Sequence, residues 1–124
     1  MNNKNTAKGK VLIADDDDDS RVMLAFLLEE EGWEVNEAKN GKEALEKVIK
    51  EQPDLLILDN RMPELTGTEV YQQLQEEGIK LTVILATAYD SLEELASSLG
   101  ISHFISKPYD IPKLLKIIES AGES

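Results

Sequence analysis

The chain has 124 residues, of which 41% are hydrophobic, and this is enough for one domain with a single core. It has no cysteine and one histidine, His103, so disulfides and thiolate metal sites are excluded and a Ser-His-Asp hydrolase has almost nothing to build on. The 13 basic and 25 acidic residues give a net charge of -12, which argues against direct nucleic-acid binding and favours a cation or a basic partner surface.

The amino-terminal residues 1–9 are polar, rich in Asn and Lys, and precede the first apolar run. They are expected to form a disordered tail. They lack the apolar core of a signal peptide, and no apolar run approaches the ~18 residues of a membrane span. The sequence therefore favours a cytoplasmic protein without a membrane segment.

Three short apolar runs that end at polar residues predict strands buried on both faces, and two weaker segments complete the set. The first run, Val11 to Ala14, ends at acids, the run Leu55 to Leu58 ends at Asp59, and a third has Thr87 near its end. The predicted strands are 11–14, 34–38, 55–58, 81–88 and 103–106.

Segments with the apolar spacing of helices separate these strands. The predicted helices are 21–31, 42–51, 68–77, 91–99 and 111–121. In the first of them, the residues expected to face the core are Met23, Leu24, Leu27 and Leu28. Three helices are followed by a glycine at the place of a C-terminal cap, namely Gly32, Gly78 and Gly100.

Strict alternation of apolar strands and helices predicts an α/β fold, with a parallel sheet covered by helices on both faces. In such sheets the ligand site lies beyond the carboxyl ends of the strands, where the strand order reverses. The polar side chains expected at that edge are Asp15, Asp16, Asp59, Thr87 and Lys107.

A cluster of three carboxylates either raises its pKa values or holds a hard divalent cation, and Mg²⁺ is the natural candidate. A nearby lysine and threonine hydroxyl would add the charge and the donor that hold a transferring phosphoryl group. Each residue also has an ordinary alternative: Asp59 as a helix cap, Lys107 as a snorkelling surface side chain, and Thr87 as a strand residue with a satisfied hydroxyl.

Four motifs at the strand ends resemble those of the receiver domain of two-component response regulators. They are IADD at 13–16, LDNRMPELTG at 58–67, ATA at 86–88 and SKPYD at 106–110. The resemblance covers residues 10–121, leaving 1–9 and 122–124 as tails. It implies a flavodoxin-like, doubly wound, five-stranded parallel sheet of order 2-1-3-4-5 with five helices.

The resemblance also implies the roles of the residues at the sheet edge. Asp59 would accept a phosphoryl group from a sensor histidine kinase or a histidine phosphotransfer protein. Mg²⁺ would be held by Asp15, Asp16, Asp59 and the backbone carbonyl of Arg61. Lys107 would contact the phosphoryl oxygens, and Thr87 would turn its hydroxyl toward them. The protein would then be a phosphorylation-dependent switch and not an enzyme, apart from its own autophosphorylation and autodephosphorylation.

Loop and switch residues follow from the same resemblance. Pro63, Gly67 and Pro108 would shape the loops, with a cis peptide before Pro108. When Thr87 moves toward the phosphoryl group, the ring of Phe104 would move inward and repack a partner surface. That surface would be formed around Leu92, Leu95, His103, Phe104, Leu114 and Leu115. A competing surface is the first helix, where Val22 and Phe26 lie four residues apart and off the stripe expected to face the core. The phosphodonor would be expected to dock there.

Some residues of this chain differ from the family pattern. Asp17, Asp18 and Asp19 extend the acidic pair, and they are expected mainly to cap the first helix and oppose its positive end. Asp17 could instead strengthen the negative field at the metal site. Arg61 and Tyr89 are bulky, and they would shield an acyl phosphate from water.

Several alternatives to a stand-alone receiver stay open. The ending SHFISKPYDI at 102–111 is similar to that of the sporulation phosphorelay response regulator, and the chemotaxis receivers are the other precedent for a stand-alone receiver. A monomer or weak dimer is expected. The chain could also be a receiver fragment of a longer transcriptional regulator. An aspartyl-phosphate hydrolase usually carries a second Asp two residues after the nucleophile, and that position is Arg61. A constitutive interaction module that is never phosphorylated would be marked by loss of Asp59, Lys107 or the acidic pair, and all of these residues are present.

Overall fold

The repeating strand and helix signals of the sequence fold into five β-α units. The computed structural model describes residues 8–62, 65–87, 92–107 and 109–122, with the backbone alone described for Thr87, Leu92, Glu93 and Gly122. The strands are β1 (Gly9–Ala14), β2 (Trp33–Ala38), β3 (Leu55–Asp59), β4 (Thr82–Thr87) and β5 (His103–Ser106). The helices are α1 (Asp18–Glu30), α2 (Gly41–Glu51), α3 (Gly67–Glu76), α4 (Leu92–Leu99) and α5 (Ile111–Gly122).

The strands form one parallel sheet of order β2-β1-β3-β4-β5, as predicted. Ala14 at the end of β1 pairs with Ala38 on one side and Leu58 on the other. Asp59 pairs with Ala86, one residue before the end of β4. The strand order reverses between β1 and β3, so the carboxyl ends of these two strands flank the crevice in which such sheets bind ligands.

The sheet divides the single core expected from the composition into two clusters, one on each face, because successive side chains of a strand point to opposite faces of a sheet. On one face, Val11 and Ile13 pack with α1 and α5. On the other face, Leu12 and Ala14 pack with α2, α3 and α4. Helices on both faces explain why the central strands β1 and β3 are apolar without interruption. Among the described residues, no helix combines the length and the hydropathy needed to span a membrane.

Side-chain caps fix where the helices begin. The side chain of Asp17 accepts a hydrogen bond from the Ser20 N–H at the start of α1, and Asn40 does the same for the Glu43 N–H at the start of α2. Thr66 forms a capping box with Glu69. Because Asp17 is the N-cap, α1 begins at Asp18 and not at the predicted residue 21. The predicted caps Gly32, Gly78 and Gly100 all have positive φ.

The ends of the domain extend slightly beyond the predicted limits. Strand β1 begins at Gly9, and the N–H of Lys8 donates a hydrogen bond to the carbonyl of Gly32. Helix α5 continues to Gly122. Lys8, Gly9 and Gly122 were predicted to be in tails, and their backbone interactions place them in the fold instead.

Two predicted orientations of apolar side chains are wrong. Met23 was expected to face the core, but it is 47% exposed, because the buried stripe of α1 runs through Arg21, Leu24, Ala25 and Leu28. Leu114 was assigned to an exposed partner surface, but it is fully buried in the core between α5 and the sheet. It cannot contribute to a surface in this conformation.

Candidate phosphoacceptor site

Two buried carboxylates lie at the carboxyl edge of the sheet, where the strand order reverses. Asp59 is the last residue of β3, and Asp15 directly follows β1. They are 5% and 1% exposed, respectively. The adjacent Asp16 is exposed to solvent. Single ligand oxygens of Asp15, Asp16 and Asp59 all lie within 4.8 Å of one another. The predicted convergence of these three acids is therefore confirmed.

Lys107 connects the two buried carboxylates. Its Nζ donates hydrogen bonds to Oδ2 of Asp15 at 2.8 Å and to Oδ2 of Asp59 at 3.1 Å. Burial on its own would lower the pKa of Lys107, but the hydrogen bonds and negative charges of Asp15 and Asp59 outweigh it and raise the pKa. Lys107 is thus a firmly protonated cation between two acids. The snorkelling alternative for Lys107 is excluded, because its side chain is only 15% exposed.

The carboxyl group of Asp59 is held from two directions. Burial raises its pKa, while the Arg61 N–H, which donates to Oδ1 at 3.0 Å, and the charge of Lys107 oppose that rise. The Arg61 amide therefore fixes one oxygen, and Oδ2 faces the lysine. Asp59 does not cap α3, the helix that follows it, since the N-cap of α3 is Thr66.

The donor set at this edge fits a hard divalent cation. Carboxylates are preferred ligands of Mg²⁺, which typically takes one or two of them in proteins and keeps several waters. Two of the acids are buried and one is exposed, so the cluster has an open side from which a hydrated cation can approach. The part played by the carbonyl of Arg61 stays a prediction.

The loop after Asp59 is shaped by Asn60, which the sequence analysis did not single out. Its side-chain oxygen accepts hydrogen bonds from the N–H of Thr68 at 2.9 Å and from the hydroxyl of Thr68 at 2.8 Å. Its carbonyl accepts one from Gly67 N–H at 3.0 Å. A Cβ at Gly67 would lie 2.7 Å from the carbonyl oxygen of Asp59, so the close approach of α3 to the end of β3 requires glycine there.

Tyr109 is a second residue that the sequence analysis missed. The Nζ of Lys107 lies 6.0 Å from the centre of its ring. Burial raises the pKa of the Tyr109 hydroxyl, so the ring stays neutral beside the lysine. An aromatic residue two positions after Lys107 was the signal in the sequence, since cations interact favourably with aromatic faces.

The predicted switch residues lie on the two strands at the far side of the site. Thr87 ends β4 and pairs with Ser106, so its backbone lies at the same edge as Asp59. Phe104 is partly buried and packs against the core formed with α2, α3 and α4. Pro63, Tyr89 and Pro108, including the peptide before Pro108, lie outside the described residues.

The three aspartates after Asp16 lie at the start of α1, as predicted, and Asp18 has one further contact. Asp17 caps α1, and its hydrogen bond from Ser20 lowers the pKa of its carboxyl group. Asp18 and Asp19 occupy the first turn of α1, next to the positive end of the helix. Asp18 also pairs with Arg21, whose buried guanidinium the sequence analysis overlooked. The i,i+3 spacing of the two residues was the available signal.

The two predicted partner surfaces differ in exposure. On α1, Val22 is 55% and Phe26 60% exposed, and Met23 extends this apolar patch. On the other surface, Leu95 and Phe104 are partly buried against the core, and His103 is also partly buried. Among the described residues, the largest exposed apolar side chains therefore lie mainly on α1.

Comparison with known sequences identifies a family that covers nearly the whole fold. Residues 11–119 match the sequence model of the response regulator receiver domain. Sporulation initiation phosphotransferase F of Bacillus subtilis (strain 168) is 36% identical over 107 residues, which are 85% of this chain and 86% of that protein. Regulatory protein AtoC of Escherichia coli (strain K12) is 34% identical, but the alignment covers 94% of this chain and 26% of that protein. The chain thus spans nearly all of some relatives and a quarter to half of others.

Solved structures agree with the sequence comparison. The receiver domain of the Francisella response regulator 1452 superposes with a TM-score of 0.86 at 30% identity, covering 93% of this chain and 97% of that one. The response regulator protein TrrA of Thermotoga maritima, solved in complex with Mg(2+)-BeF, gives a TM-score of 0.81 at 32% identity, covering 90% and 97% of the two chains.

Proposed function

The chain belongs to the family of response regulator receiver domains, which are phosphoacceptor signalling switches of two-component systems, and from this premise we propose that Asp59 is its phosphoacceptor. The observation that carries the proposal is the buried carboxyl group of Asp59, which is fixed by the Arg61 amide and faces Lys107 at the switch point of the sheet. No other described aspartate ends a strand in this sheet.

The proposed reaction is transfer of a phosphoryl group to a carboxylate oxygen. An oxygen of Asp59 attacks phosphorus, the phosphorus–nitrogen bond of the phosphohistidine donor breaks, and the released imidazole takes a proton. The product is an acyl phosphate on Asp59. Receiver domains obtain this group from histidine kinases or phosphotransfer proteins, and which of them serves this chain is part of the proposal.

Lys107 neutralises charge during this transfer. Before the transfer it is paired with Asp59 and Asp15. Afterwards the carboxylate of Asp59 has lost its own charge, because one of its oxygens is bonded to phosphorus in the acyl phosphate, while the phosphoryl oxygens carry negative charge. The same ammonium group then pairs with a phosphoryl oxygen after a small movement. Thr87, at the end of β4, is the proposed hydroxyl donor to a second oxygen.

The proposed cation is Mg²⁺, bound by Asp15, Asp16, Asp59 and the carbonyl of Arg61. When bound, it supplies positive charge that balances the phosphoryl oxygens. This chain's contribution is to hold two buried carboxylates and one exposed carboxylate within 4.8 Å of one another. The family model and the Mg(2+)-BeF complex of a structural relative support this assignment.

The proposed partner surfaces are the α1 patch for the phosphodonor and the face around α4, β5 and α5 for a downstream protein. Met23 joins Val22 and Phe26 in the first, and Leu114 is no longer included in the second. We propose a monomer or weak dimer that functions either alone or as the receiver part of a longer regulator. An aspartyl-phosphate hydrolase is not favoured, because Arg61 stands where its acid would be.

The test of the proposal is phosphorylation with acetyl phosphate. The protein is incubated with acetyl phosphate and Mg²⁺, its intact mass is measured, and the modified residue is located by fragmentation after borohydride reduction of the acyl phosphate. A gain of one phosphoryl group located at Asp59 is expected. No gain, or a group located on another residue, would contradict the proposal.

A further inference from the structure

Arg21 is a buried cation for which the proposed phosphoryl transfer has no role. It lies in the first turns of α1, is 6% exposed, and belongs to the stripe of the helix that packs against the sheet. A charged side chain is rarely buried without partners, because its charge loses hydration. The contacts of the guanidinium therefore indicate why an arginine stands on an otherwise apolar face.

The guanidinium donates three hydrogen bonds to three different parts of the fold. Nη1 donates to the backbone carbonyl of Asp15 at 2.9 Å, and this contact is buried. Nη2 donates to Oδ1 of Asp18 at 2.6 Å, and Nε donates to Oε1 of Glu37 at 3.0 Å. The backbone carbonyl of Glu37 in turn accepts a hydrogen bond from Lys47 of α2. Arg21 thus joins the loop after β1 to α1 and to the edge strand β2.

The hydrogen bond from Arg21 to the backbone carbonyl of Asp15 completes the set of interactions that fix Asp15. The N–H of Asp15 donates to the carbonyl of Ala38 at 3.0 Å. Its Oδ1 accepts from the N–H of Asp17 at 2.9 Å, and its Oδ2 accepts from Lys107. Arg21 supplies the donor for the carbonyl. The peptide group held in this way is the one that links Asp15 to Asp16, so its orientation sets the direction of both carboxylates.

We propose that Arg21 is a positioning residue for the acidic pair and holds the Asp15–Asp16 peptide so that both carboxylates meet Asp59 around a divalent cation. This inference rests on the proposed function of the site. Arg21 acts through geometry more than through charge, because Asp18 and Glu37 already balance its positive charge. Groups that orient metal ligands typically change metal affinity by 10- to 100-fold when they are removed.

Two substitutions separate geometry from charge. Arg21→Lys keeps the positive charge, but an ammonium group cannot reproduce the planar fork that reaches three acceptors. Arg21→Met removes the charge and keeps much of the apolar stem. Mg²⁺ binding to the unphosphorylated protein is measured by titration calorimetry. Both variants are expected to bind Mg²⁺ roughly tenfold or more weakly than the wild type.

A second readout needs no metal. The Asp17 N–H donates to Oδ1 of Asp15, so loosening the loop should expose it. Amide hydrogen exchange in the metal-free protein, followed by NMR, is expected to be faster at Asp17 in both variants, with no change at amides of β4. Unchanged exchange at Asp17 would contradict the proposal.

The controls separate positioning from general destabilisation. Val48→Ala removes a buried group of α2 that is not part of this edge, so it should lower thermal stability and leave Mg²⁺ affinity unchanged. Glu37→Ala retains Arg21 but removes one acceptor, and it should weaken Mg²⁺ binding by less than Arg21→Met. If both Arg21 variants fail to fold, the Mg²⁺ affinity of Glu37→Ala becomes the test. Wild-type affinity in that variant would overturn the inference.

The remaining outcomes are equally decisive. Wild-type Mg²⁺ affinity in both Arg21 variants overturns the inference. Wild-type affinity in Arg21→Lys alone also overturns it, because only the positive charge of Arg21 would then be needed. These results leave the proposed function intact as long as the wild type is labelled on Asp59 by acetyl phosphate. A wild type that is not labelled contradicts the proposed function itself, whatever the Arg21 variants do.

Discussion

The ammonium nitrogen of Lys107 lies 3.1 Å from Oδ2 of Asp59, although 48 positions separate the two residues in sequence. Lys107 directly follows β5 and Asp59 ends β3, with β4 between the two strands. The lysine therefore crosses the edge of the sheet to reach the carboxylate. The proposed nucleophile and its counter-charge are thus already held together in the unphosphorylated structure, and such preorganisation is what electrostatic catalysis requires.

The first prediction concerns the phosphoacceptor. Asp59→Asn is expected to abolish labelling by acetyl phosphate, because an amide oxygen is a far weaker nucleophile than a carboxylate. Asp17→Asn is the control: Asn also caps helices well, so α1 is retained and labelling should match the wild type. Intact mass spectrometry measures both. Stoichiometric labelling of the Asp59→Asn variant would remove Asp59 from its proposed role.

The second prediction concerns the exposed acid of the cluster. Asp16→Asn is expected to weaken Mg²⁺ binding and slow phosphorylation, because one of three carboxylate charges is lost. In the absence of Mg²⁺, the same change relieves repulsion, so the melting temperature should stay equal or rise. Melting curves with and without Mg²⁺ test both effects. A Mg²⁺-induced shift equal to that of the wild type would argue against Asp16 as a ligand.

The third prediction concerns the pH dependence of stability. The folded-state pKa of Lys107 is raised above the ordinary value of 10.5, so its stabilisation is fully present below that pH and is lost as the pH rises through the higher folded value. Lys107→Met should therefore lower the free energy of unfolding at pH 7 by roughly 3 kcal/mol, since two buried carboxylates lose their cation.

This loss should become smaller in acid. Burial already raises the pKa of Asp59 above its ordinary value of 3.8, and removal of the lysine raises it further. Protonation of Asp59 then favours the folded state, so the part of the penalty that comes from Asp59 shrinks as the pH falls through these raised pKa values toward 3.8. Urea unfolding at about pH 7 and about pH 4 without Mg²⁺ gives the comparison. An equal loss at both pH values would mean that the ion pairs are not its cause.

The fourth prediction concerns docking of the phosphodonor. Phe26→Ala should slow transfer from a phosphohistidine protein about tenfold, equivalent to about 1.4 kcal/mol, because an aromatic contact is lost from the α1 patch. Labelling by acetyl phosphate should not change, since this small donor needs no docking surface. Ile49→Ala removes another exposed apolar side chain, on α2, and should affect neither rate. Equal slowing with both donors would place the effect of Phe26 in the site and not in docking.

The fifth prediction concerns the output of the switch. Thr87→Ala should leave phosphorylation of Asp59 largely intact but reduce the difference in downstream binding between the two states. The expected link is Phe104, whose ring packs on the core beneath β5 and can repack when the hydroxyl of Thr87 moves. Pull-downs with phosphorylated and unphosphorylated protein provide the measurement. A full phosphorylation-dependent difference in Thr87→Ala would show that the coupling does not run through Thr87 and Phe104.

Much of this architecture follows from local features of the sequence. Uninterrupted apolar runs such as Leu55 to Leu58 indicate strands covered on both faces, and acids directly after them must lie at the carboxyl edge of a parallel sheet. The same rules place Asp15, Asp59 and Lys107 together without knowledge of their distances. Periodicity and caps are local properties, so the strands and helices lie within a few residues of the predicted limits.

The tertiary structure decided which side chains are covered and which distant groups are paired. The apolar spacing of α1 predicts a buried stripe that includes Met23. In the structure the buried stripe includes Arg21, which bonds to Asp15 and Glu37, and Met23 is exposed. Leu114 is buried because α5 lies directly against the sheet. Such outcomes depend on how neighbouring elements pack, and a hydrogen bond between residues far apart in the chain leaves no periodic signal in either segment.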